Sequence, residues 1–117
     1  MFFRKLVYVG SISVLASCAS MPKVTGYSSA PPEIRSEVLS RISEIEKSDR
    51  NCVNLSAVNA DDPALPQFMK GPNARAFSTG PVRETWVVTA CGAQRKYLVA
   101  LMGDHGVMQL QSVELAK

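Results

Sequence analysis

Three stretches near the carboxyl end decide the fold: RETWVVTAC (83–91), RKYLVALM (95–102) and VMQLQSVEL (107–115). Each is rich in Val, Leu, Thr or aromatic residues, the composition of half-buried strands. Cys91-Gly92-Ala93-Gln94 and Gly103-Asp104-His105-Gly106 separate them and read as turns. Connections this short cannot carry a parallel crossover, so the three strands are expected to form an antiparallel meander.

Upstream, Pro31-Pro32 opens a helix, because proline suits the first turn and Glu33 complements the positive helix end. Ile34, Val38, Leu39, Ile42 and Ile45 follow at helical spacing as one apolar stripe. Glu37 and Arg41 form an exposed i,i+4 pair, and the helix is expected to fade over Lys47–Asn51. The polar face lacks the Lys/Arg richness of a membrane-surface helix, so the stripe is assigned to the core. Residues 52–60 read as a brief strand or an irregular segment. Residues 61–81 hold four of the seven prolines and read as a long loop, with room for a short strand over Gln67–Lys70.

The amino end carries a different signal. Arg4 and Lys5 precede the apolar run Leu6–Leu15, the charged and hydrophobic parts of a secretory signal. That run is about half of the ~20 residues a helix needs to span a bilayer. It ends in Leu15-Ala16-Ser17-Cys18, which resembles the lipobox of bacterial lipoproteins. The resemblance implies cleavage before Cys18, a diacylglycerol on its thiol and an acyl chain such as palmitate on the new amino terminus. Several chains hold firmly where one is marginal. Ala19 and Ser20, in place of an Asp after the cysteine, imply the outer membrane, facing the periplasm. The domain reading is then a signal peptide over 1–17, a lipidated tether over 18–31 and a small periplasmic domain over 32–117.

Removing the signal leaves eleven basic residues against ten acids, near neutrality. No cluster of Lys/Arg with interleaved aromatics remains, so nucleic-acid binding has little support. With Cys18 assigned to lipid, Cys52 and Cys91 are left in an oxidising compartment and read as a disulfide. Closing that loop contributes roughly 4 kcal/mol by loop-closure entropy. The expected fold is therefore α+β: one amphipathic helix on a three-stranded antiparallel meander, with one or two extra short strands, stapled by a disulfide.

Alternation along the first strand puts Val87, Thr89 and Cys91 on one face and Trp86, Val88 and Ala90 on the other. If Cys91 bonds to Cys52 beside the helix, the cysteine face looks at the helix, and Trp86 and Val88 face away. Two covers then compete for that side: the 61–81 loop, or a partner protein docking on Trp86 and Val88. A bulge that switched faces would remove the question.

Chemistry-bearing residues are sparse. His105 is the only histidine and sits beside Asp104 in a turn, which suits turn geometry better than a triad or a metal site. No phosphate-binding glycine loop or evident acid/base pair appears. No catalytic residue, metal or cofactor is assigned. Glu84-x-Trp86-x-Val88-x-x-Cys91-Gly92 with Tyr97-x-Val99 is similar to a hairpin of small Gram-negative lipoproteins of unassigned function. The element order is also similar to the small lipoprotein of the outer-membrane barrel assembly machine, without its second helix or Gly-Met-Thr segment. The expected function is a non-catalytic lipoprotein bound to the membrane through Cys18 and to another envelope protein, as an accessory subunit of an outer-membrane or secretion assembly. The alternative is a small-ligand-binding or enzyme-inhibitor domain on a lipid tether; lysozyme-inhibiting lipoproteins are similar in size and disulfide use, but none of their motifs is present.

Overall fold

Pro31 and Pro32 start the helix because neither needs a backbone donor there. Pro31 is extended and its carbonyl accepts from Ile34 and Arg35, both at 2.9 Å. In the computed structural model, which describes residues 21–70 and 80–117, helix α1 spans Pro32–Arg50. The signal-like residues 1–17, Cys18 and the centre of the 61–81 loop lie outside the described residues. Asn51 ends α1 in the left-handed conformation, turning its own N–H and that of Cys52 back onto the carbonyls of Lys47 and Glu46. Asn tolerates that conformation better than most residues.

The helix lies on a single mixed sheet of five strands, so the class is α+β, with more strands than the meander alone. Strands β1 (Val24–Gly26), β2 (Leu55–Asp61), β3 (Gly80–Ala90), β4 (Ala93–Asp104) and β5 (Val107–Leu115) lie in chain order across it. β1 runs parallel to β2, and every other pairing is antiparallel. The expected meander is β3-β4-β5. A one-residue register shift in β5 places Gln111 between the residues that pair with Leu101 and Ala100.

Both hairpins turn over two residues. Ala90 pairs with Ala93, leaving Cys91 and Gly92 at φ 49° and 80°; Asp104 pairs with Val107, leaving His105 and Gly106 at 51° and 91°. Two positive φ values in a two-residue loop give the type I′ geometry that matches strand twist.

This turn overturns the face assignment. Cys91 follows the strand, so the alternation does not run through it, and its disulfide to Cys52 closes from the turn. The helix-facing parity is Val82, Glu84, Trp86, Val88 and Ala90, all buried. Trp86 and Val88 share one core cluster with Val38, Leu39 and Ile42, so α1 covers them.

Two further expectations change. Residues 24–31 are built into the domain and are not a tether: β1 pairs with β2, and Ala30 is buried. Gln67–Met69 is a 3₁₀ turn and not a strand. The segment before it is ordered by Asp62, which accepts from the Ala64 N–H and, through its carbonyl, from Leu65.

Candidate functional site

With α1 on one face, the other parity of the sheet carries what a partner can reach. On β3 these residues are Arg83, Thr85, Val87 and Thr89; on β4, Lys96, Leu98, Ala100 and Met102; on β5, Ser112 and Glu114. Leu98 is 47% exposed and Met102 37%. Leu98, Ala100 and Met102 alternate along β4 as an apolar stripe of about 13 Å, at ~3.3 Å per residue. Cross-strand register places Thr85 and Glu114 on either side of Leu98, and Arg83 and Ser112 on either side of Ala100. The stripe is thus apolar along its length and polar at its flanks. Leu98, Ala100 and their four flanking residues line, with Pro63, a groove of about 380 Å³.

Two carboxylates lie under the opposite face, where parity and burial would call for apolar side chains. Glu84 is on β3 between Val82 and Trp86. Its Oε1 accepts from Ser28 Oγ at 2.8 Å and Trp86 Nε1 at 2.9 Å. Its Oε2 accepts from the Ser29 N–H and Ser29 Oγ, both at 2.8 Å. Four donors satisfy the buried carboxylate, and burial without them would be costly. The Ser28-Ser29 segment is held against the sheet as a result.

Glu46, in the last helical turns, is equally buried. Its Oε2 accepts from Tyr97 Oη and from Arg95 Nε, the latter at 2.8 Å. Its Oε1 faces Arg50 Nη1 at 3.5 Å without forming a hydrogen bond. Arg50 also donates to the Ala90 carbonyl at 2.9 Å, and Arg95 reaches Asp49 at 3.4 Å. Burial, together with the hydrogen bond to Glu46, pushes the Tyr97 hydroxyl up to about 12, against the pull of Arg95. Burial works against the charge of Arg95, but its bonds to Tyr97 and Glu46 outweigh that and raise its pKa. Cys52–Cys91 ties the same helix end to the β3–β4 turn.

Both carboxylate side chains are buried. A second cavity, about 420 Å³, lies where β1 and β2 end, lined by Tyr27, Asn59, Gln67 and the Asp61–Lys70 ion pair. His105 stands in an exposed turn with Nδ1 2.7 Å from Asp104 Oδ1. Among the described residues, no group of three His, Cys, Asp or Glu side chains could hold a metal ion. No described helix is long and apolar enough to cross a membrane.

Of the residues singled out in the sequence, Cys52 and Cys91 are brought together, whereas Trp86 and Val88 are core and offer no contact surface. The reachable residues are Leu98 and Met102. Their signal was the second strand's apolar content on both parities, which marks an outward stripe once the helix side is fixed. Glu84 was also readable, as a polar residue on the parity of Val82, Trp86 and Val88. The chain matches no family model, no curated protein and no solved structure.

Proposed function

We propose that this chain is a lipid-anchored, non-catalytic protein of the bacterial envelope that docks a partner protein on the helix-free face of its sheet. The observation that carries the reading is the exposed Leu98–Ala100–Met102 stripe between polar flanks, the pattern of an interface core with its rim. Arg83 on the β3 flank, Glu114 on the β5 flank and Lys96 at the end of the stripe favour a partner whose apolar patch is bordered by both signs of charge. The lipobox-like Leu15-Ala16-Ser17-Cys18 supplies the anchor, and an outer-membrane or secretion assembly is the setting that suits it.

The test pairs two variants. Leu98→Glu combined with Met102→Glu places charge on the open face without touching the core. Crosslinking in intact cells followed by purification should recover a discrete partner with the native chain and lose it with the double variant. Equal recovery from both would refute this docking face. Cys18→Ala should move the protein from the membrane fraction to the soluble fraction, and its persistence in membranes would refute the anchor.

A second reading, an inhibitor whose loop enters a partner's cleft, draws on Phe68. It is 88% exposed on the 3₁₀ turn beside the exposed Met69. Partner capture lost on Phe68→Ala but kept in the Leu98/Met102 variant would select it.

A further inference from the structure

We infer that residues 24–30 are a docked strap that shortens the leash between lipid and domain, holding the domain at the membrane surface. The inference rests on the lipid-anchor reading and adds how far the anchored domain can reach. Between Cys18 and the first docked residue, Val24, lie six residue steps. Whatever conformation they take, six steps span at most ~22 Å. If the strap were free to Pro32, fourteen steps would span up to ~50 Å.

The strap is held at three places. Val24, Thr25 and Gly26 pair with Val58, Asn59 and Ala60, and Thr25 Oγ1 donates to the Val58 carbonyl at 3.0 Å. The Tyr27 N–H continues the ladder to the Ala60 carbonyl at 2.8 Å. Ser28 and Ser29 then cover both oxygens of Glu84. Gly26 makes the close approach possible: it sits at φ 82°, and a Cβ there would strike the Ala60 carbonyl oxygen and Asn59 Oδ1. Glu84 is buried inside an apolar strand, between Val82 and Trp86. Among the described residues its four donors come from the strap and from Trp86. Gly26 and Glu84 are therefore positioning residues for the leash. A domain held this close meets a membrane-resident protein and not one across the compartment.

The sole tryptophan, Trp86, gives a native distance probe. The full mature chain, purified from membranes with its lipid checked by mass, is placed in phosphatidylethanolamine–phosphatidylglycerol vesicles carrying a dansyl headgroup. Energy transfer from Trp86 to dansyl should be strong. It should fall roughly twofold or more when eight Gly/Ser residues are inserted between Ser20 and Met21, since coil dimensions grow with the square root of length. A combined Gly26→Val, Ser28→Ala, Ser29→Ala variant should lose transfer likewise while keeping its disulfide and its circular dichroism. Lipid present but transfer unchanged by the insertion would overturn the short leash. A loss on insertion but none in the strap variant would overturn the assignment of residues 24–30 as its latch. Absence of lipid on Cys18 would remove the anchor reading itself and the leash with it.

Discussion

Tyr97 Oη donates to Glu46 Oε2 in the core, joining the middle of β4 to the end of α1 with both side chains fully buried. The carboxylate also holds Arg95 and faces Arg50, so one helix residue gathers a phenol and two guanidinium groups. Removing one member of such a cluster leaves the others buried and poorly paired, and that penalty exceeds the value of the bond itself.

Glu46→Ala is therefore expected to destabilise the domain by about 3 kcal/mol or more. Tyr97→Phe keeps the ring and loses only the donor, costing about 1.5–3 kcal/mol. Urea unfolding of the oxidised domain measures both. Equal small losses would mean that the cluster is solvated and not part of the core.

Tyr97 should also ionise late. Its pKa is raised from the usual 10 to about 12, so the folded state holds that proton more tightly than the unfolded chain does. Its contribution to stability is full below pH 10 and is lost as pH rises from 10 to about 12. Ultraviolet titration of the folded protein should show the Tyr97 step late, coinciding with unfolding. A single step near 10 with the fold intact would contradict the buried placement.

Opening the Cys52–Cys91 bridge, by reduction or by paired Cys→Ala substitution, should lower stability by roughly 2–4 kcal/mol. The secondary structure should survive, since Arg50 still reaches the Ala90 carbonyl and Glu46 still holds Arg95 and Tyr97. Circular dichroism with a urea midpoint tests both parts. Reactive thiols at both positions in the untreated native protein would show that the bridge does not form.

Trp86→Ala should cost about 3–5 kcal/mol, the range for deleting a buried aromatic, and it also takes a donor from Glu84. Leu98→Ala, on the open face, should change stability by no more than about 0.5 kcal/mol. Thermal melts of the two variants separate the faces directly. Similar losses from both would mean that the open face is packed.

The helix over 32–50 and the β3-β4-β5 meander were legible because each carries its own period. The cysteine pairing was legible on the expectation of an oxidising compartment with Cys18 assigned to lipid, which left Cys52 and Cys91 as the pair. The facing of the sheet was not. It turned on whether Cys91 belongs to the strand or to the turn, and the dipeptide Cys91-Gly92 fits either until φ at Cys91 is known. β1 escaped notice because three residues, Val24-Thr25-Gly26, carry no period. Their place depends on a parallel pairing with residues more than thirty positions away. Glu46 lay one turn beyond Ile42 on the apolar stripe, yet only tertiary structure brings Tyr97 and Arg95 to it.

β1 has a second consequence, for solubility. It covers the outer edge of β2, a seven-residue strand whose N–H and C=O groups would otherwise line up unpaired. A bare edge of that length is a template for strand addition by neighbouring chains, whereas a three-residue edge offers too little to pair with. β1 is thus the guard on that edge, and any event that lifts it from the sheet exposes β2 to neighbouring chains. Resistance to strand addition on this side of the sheet rests on three residues, Val24, Thr25 and Gly26.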